Sequence, residues 1–96
     1  MDKPSMLAKL KKELAELQSK ADEARIQMNL AGKEIQATLE PHLKTLDNEL
    51  LHARRKLEKL KSSVESTEHE LEKGVHSSMD KIKELYKKAK QHLPKK

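Results

Sequence analysis

Cysteine is absent from this chain, and with it disulfides, thiol nucleophiles and cysteine-ligated metals. Tryptophan and phenylalanine are absent too, leaving Tyr86 as the sole aromatic. Aromatic side chains supply much of the buried area of ordinary globular cores, so a thick core is not expected. The two glycines, Gly32 and Gly74, leave no Gly-rich phosphate loop, no G-x-x-x-x-G-K-[ST] and no G-x-S-x-G. A chain so poor in glycine and aromatics has little means of shaping a concave apolar pocket. An enzyme is therefore not expected, and no catalytic residue or cofactor is assigned. No apolar run approaches the ~20 residues that span a bilayer. The opening "MDKPSMLAKLKKEL" lacks the continuous apolar segment of a secretory signal, so a cytoplasmic protein is expected.

What remains is a chain with a 34% hydrophobic and a 39% charged fraction, dominated by Ala, Glu, Lys, Leu and Arg. That is the composition of a coiled coil or long helix, and its length suits one helical coiled-coil domain over residues 1–96. The formal charge of +5 is a modest excess that points weakly to an anionic partner.

Near the start, Ser5 can cap a helix and Asp2 suits the positive end of its dipole. Leu7, Leu10, Leu14, Leu17, Ala21, Ala24, Met28, Ala31 and Ile35 follow at alternating spacings of three and four, a heptad stripe. Leucine fills its first half and alanine most of its second, so Ala21 to Ala31 should be thinly packed. Gly32 weakens a helix there by roughly 1 kcal/mol relative to alanine.

The stripe then slips by one residue, to Leu39, Leu43, Leu46, Leu50, Ala53, Leu57, Leu60 and Val64, and the slip falls at Pro41. Pro41 cannot donate to the carbonyl of Ala37, and its ring crowds that turn at a cost of roughly 3 kcal/mol. Two structures fit: a helix that ends near Leu39 with Pro41 opening the next, or one helix that runs through and bends. "TLEPHL" offers no Gly, Asn or Asp for a tight reversal, which favours the bend. On that reading the first helix runs from Ser5 to Lys61, about 85 Å at 1.5 Å per residue.

The reversal is expected later, between Ser62 and Gly74, where Ser62, Ser63, Ser66 and Thr67 gather. Thr67 and Glu70 have the spacing of a capping box, although these hydroxyls also suit the wet face of a continuing helix. A third stripe follows through Val75, Met79, Ile82, Tyr86, Ala89 and Leu93, with a further slip at Gly74 and a stop at Pro94.

Metal readings come from the histidines. Glu49 and His52 have the i, i+3 spacing of a carboxylate-bridged di-iron motif, which needs a second copy that the chain lacks. Glu65, His69, Glu72 and His76 share one helical face that zinc could bridge, although a solvated polar face explains them as simply. No metal site is assigned.

Charges are segregated into a basic block (Arg54, Arg55, Lys56, Lys59, Lys61), an acidic block (Glu65, Glu68, Glu70, Glu72) and a basic tail that includes Lys81, Lys83, Lys87, Lys88, Lys90, Lys95 and Lys96. Arg54, Arg55, Lys56, Lys87 and Lys88 are the candidate anion-binding residues. No aromatic platform exists for nucleobases, so pairing of the blocks across helices is the preferred reading. The tail "MDKIKELYKKAKQHLPKK" has the pattern of a surface-seeking amphipathic helix without the Trp or Phe that would anchor it in a membrane.

"LAELQSKADEARIQ", "LEPHLKTLDNELLHARRKLEKLKSS" and "MDKIKELYKKAKQHL" resemble a family of small bacterial coiled-coil proteins, some of stress-response type and some with apolipoprotein-like helical profiles. Met79 and Tyr86 stand in the third segment, where that family usually carries Trp. The resemblance implies an elongated helical fold, no catalytic residues and a possible link to stress.

The expectation is therefore an all-α, elongated coiled-coil helical hairpin or short bundle with a long first helix kinked near Pro41. It self-associates through Leu7, Leu10, Leu14, Leu17, Met28, Ile35, Leu43, Leu46, Leu50, Leu57, Leu60 and Val64. The function expected is a structural or interaction protein acting as a homo-oligomer. The alternative is a basic helical protein that binds nucleic acid or an anionic lipid surface.

Overall fold

A computed structural model describes residues 2–93, which form three α-helices and no strand: α1 (Lys3–Leu30), α2 (Lys33–Lys61) and α3 (Glu65–Gln91). The helices pack into an elongated bundle of 49 × 20 × 16 Å. Pro94, Lys95 and Lys96 lie outside the described residues, so the expected stop at Pro94 and the last two tail lysines have no structural account.

α1 opens at Asp2, whose carboxylate accepts from the Ser5 N–H at 3.1 Å, with Pro4 in the first turn where its missing N–H costs nothing. The cap is thus Asp2 and not Ser5, which supplies the donor. Met6, Leu10, Leu14, Leu17, Ala21 and Ala24 are buried along one stripe.

The expected 85 Å helix does not form. Ala31 and Gly32 are both extended, with φ/ψ of −86°/170° and −68°/162°, and the chain breaks there. A helix running straight through Gly32 would leave two leucine stripes facing solvent. Breaking it packs Leu39, Leu43, Leu46 and Leu50 into one core with Leu10, Leu14 and Leu17. Each buried leucine contributes about 2 kcal/mol, so several outweigh a two-residue interruption at a weak helix former. The Gln36 side chain holds the break by donating to Ala31 O at 3.0 Å, one of the carbonyls that α1 leaves unpaired.

Pro41 lies inside α2, as the ninth residue of that helix, and is exposed. It opens no new helix. Thr38 and Thr45 flank it, their hydroxyls donating to Glu34 O and Pro41 O at 3.0 Å each.

The second reversal falls at the start of the expected window, at Ser62, Ser63 and Val64. Ser62 Oγ donates to Glu58 O at 3.1 Å and Ser63 Oγ to Leu60 O at 2.6 Å, satisfying carbonyls at the end of α2. The capping box at Thr67 and Glu70 is not used. α3 starts earlier, at Val64, whose side chain cannot cap, and Thr67 Oγ1 instead donates to Val64 O at 3.2 Å. Val64 is consequently 65% exposed rather than part of the core. The helix also continues through Gly74, and the register slip there is absorbed by Ser78, which is buried beside Val75 and Met79.

α2 and α3 make the most extensive contact, and α1 covers them less completely. A single core cluster runs through all three helices. Arg25 pairs with Asp47 between α1 and α2. The Lys20 ammonium sits 5.9 Å above the Tyr86 ring, linking α1 to α3. Lys3 Nζ donates to Ser63 O at 2.7 Å, so the start of α1 adjoins the turn from α2 to α3. Among the described residues no helix is long and apolar enough to cross a membrane.

Candidate interaction surface

The expected oligomer stripe is mostly consumed inside one chain. Leu10, Leu14, Leu17, Leu43, Leu46, Leu50 and Leu60 are buried. Leu7, Met28, Ile35 and Leu57 are half-buried against that core. Met6, absent from the expected stripe, is buried in the position that the heptad reading gave to Leu7. A helix touching two neighbours needs a wider apolar face than a two-helix seam, and the narrow reading missed its edge.

Two of these half-buried members, Leu7 and Leu57, line an open groove of about 610 Å³ between α1 and α2. Leu7, Leu14 and Leu57 form its floor, and the exposed Ala8 and Ala15 form a low wall on the α1 side. Alanines there keep the groove wide. Its rim carries Lys11, Arg54 and Lys61 against a single carboxylate, Glu58. The guanidinium of Arg54 donates to Gln18 across the groove. An apolar floor with a cationic rim suits an apolar segment flanked by acids.

The five candidate anion-binding residues do not converge. Arg54 is turned toward Gln18, and Arg55 is exposed. Lys56 is tied to α3 through Ser78. Arg54, Arg55 and Lys56 line a concavity of about 500 Å³ on α2 together with His52, Glu58 and Lys59. Lys87 and Lys88 are exposed on α3, and Lys87 lies nine residues beyond Ser78, about 14 Å further along the helix.

Among the described residues the expected pairing of the basic block with the acidic block is not formed. The ion pairs among the described residues are Arg25–Asp47, His76–Glu72 at 3.7 Å and Lys81–Glu49 at 3.8 Å. None joins Arg54, Arg55, Lys59 or Lys61 to Glu65, Glu68 or Glu70. The two blocks are separated by the reversal at Ser62–Val64.

Among the described residues no three His, Asp or Glu side chains gather as a metal site. Of the zinc-spaced face, Glu72 and His76 approach each other as the ion pair above. The remaining histidine contact is a stack of His42 on His92, with ring centroids 5.0 Å apart, which sequence spacing did not suggest.

No family model, curated protein or solved structure matches the chain.

Proposed function

We propose that this chain is a non-enzymatic helical interaction protein that works by self-association, with the α1–α2 groove as its contact surface. The observation that carries this reading is the groove itself: Leu7 and Leu57 stay half-exposed above the buried Leu14 after the rest of the leucine stripe has been buried. A fourth helix laid there would cover it and complete a four-helix arrangement. Folding leaves less of the stripe for this purpose than a single long helix would offer, so the association is expected to be reversible rather than obligate.

Sedimentation equilibrium at micromolar concentration tests the reading. The wild-type chain is expected to populate a dimer or higher species. Replacing the exposed Ala8 and Ala15 by arginine fills the groove with charge while keeping good helix formers. That variant should keep its helicity and lose association by tenfold or more. A fully helical monomer in the wild type sinks the reading.

The second reading, a basic surface for nucleic acid or anionic lipid, is supported by the exposed Arg55 and Lys59, one turn apart on α2. It requires binding to DNA or to anionic vesicles that falls steeply with salt and depends on those residues.

A further inference from the structure

The groove and the acidic start of α3 are built as opposites, and both lie at one end of the bundle, where Lys3 meets Ser63. The groove is an apolar floor with a cationic rim. The start of α3 is an exposed valine followed by acidic residues. Val64 is the extended cap residue before α3, and Leu71, two turns on, packs against the core. Val64 is 65% exposed and Leu71 half-buried. Glu65 and Glu68 follow Val64 in the first turn of α3, and Glu72 lies one turn further on, beside His76.

The charges that face outward from the two surfaces are left without ion pairs among the described residues. Among the described residues, Glu65 and Glu68 are in no ion pair, and neither are Lys11 and Lys61. A groove laid on a second groove would set one cationic rim against another, a like-charge arrangement that costs free energy. The acidic start of α3 meets the same rim with opposite charge. Its own groove is out of reach of this segment, because the three-residue turn at Ser62–Val64 sends α3 back along α2.

We infer that the occupant of the α1–α2 groove is the first turns of α3, around Val64, Glu65 and Glu68, from a second copy of this chain. The inference rests on the self-association proposed above and says which surfaces meet. Each copy carries both halves, so a two-fold axis satisfies both contacts at once and closes the assembly as a dimer. Val64 enters between Leu7 and Leu57, and Glu65 and Glu68 face Lys11 and Lys61. The exposed valine at a helix cap, a position that normally takes Ser, Thr, Asp or Asn, then has a reason for being apolar.

Two variants and their mixture test this by sedimentation equilibrium, with circular dichroism to check that helicity is kept. The first is Glu65→Lys with Glu68→Lys, which makes both surfaces positive. The second is Lys11→Glu with Lys61→Glu, which makes both negative. Lys11, Lys61 and Glu65 are exposed and Glu68 is half-buried; reversal at Glu65, Glu68 and Lys61 opposes the helix dipoles by up to about 1 kcal/mol each, which is why helicity is checked alongside association. Each variant alone should dimerise about tenfold more weakly than the wild type, because opposite charges have become like charges. Mixed in equal amounts they should form a heterodimer at least as tight as the wild-type dimer, since both contacts again join opposite charges. The wild-type dimer should also weaken as salt rises. If the wild type is monomeric, the self-association reading and this inference both fall. Should the wild type associate while each variant alone associates equally well, or the mixture fail to recover, only this assignment of surfaces falls.

Discussion

Lys56 and Ser78 join α2 to α3 by a 2.8 Å hydrogen bond from the ammonium to the hydroxyl of Ser78, a residue only 2% exposed. Ser78 is the one polar side chain among the buried residues described, and this bond gives it a partner. It also takes Lys56 out of the basic block. Ser78→Ala should lower stability by about 1 kcal/mol, because it removes the acceptor while the half-buried ammonium turns toward water. A urea midpoint that does not move would show that the bond contributes nothing net.

Gly74 stands one turn before Ser78 in the interior of α3, where glycine is a poor helix former. A Cβ built there meets only the Lys56 Cδ, at 3.9 Å, an ordinary contact. Gly74→Ala should therefore raise stability by about 1 kcal/mol, through helix propensity alone. Thermal unfolding checks this, and a lower midpoint would mean that α2 and α3 need a closer approach than the structure shows.

Pro41→Ala restores the donor that α2 lacks opposite the Ala37 carbonyl and removes the crowding ring. Because Pro41 is exposed and well inside the helix, nothing in the core is disturbed. The gain should reach up to about 3 kcal/mol, with more helical signal by circular dichroism. A neutral or destabilising result is what a proline that initiates a helix would give.

Asp2 sets an acid limit on the end of α1. Hydrogen bonding by the Ser5 side chain, and then by its backbone N–H, holds the Asp2 carboxyl below its ordinary value of 3.8. A carboxyl whose pKa is lower in the folded than in the unfolded chain stabilises the fold above its unfolded pKa, and that contribution is lost as pH falls through the folded one. The first turn of α1 should thus fray selectively below about pH 4, with faster amide exchange at Ser5 and Met6. Asp2→Asn should keep the cap and abolish this pH dependence. Equal fraying in both proteins would contradict the assignment.

The local sequence determined that this chain is helical. Its leucine spacing, scarcity of glycine and wealth of Ala, Glu and Lys all favour helices, and the polar cluster at Ser62 and Ser63 marked one reversal where hydroxyls could satisfy the last carbonyls of α2. The apolar positions of α2 were legible for the same reason: Leu43, Leu46, Leu50 and Leu60 repeat at helical period and are buried. The break at Ala31–Gly32 was not legible. It contains no positive φ and no proline, and it is held by Gln36, which reads as an ordinary surface residue. Local propensity there differs from that of a continuing helix by only about 1 kcal/mol, and folding two leucine stripes into one core outweighs it. The same tertiary decision placed Val64 on the surface, Ser78 in the core and the groove between α1 and α2. Each depends on which helices become neighbours, and a periodic pattern gives the direction of an apolar face but not what will cover it.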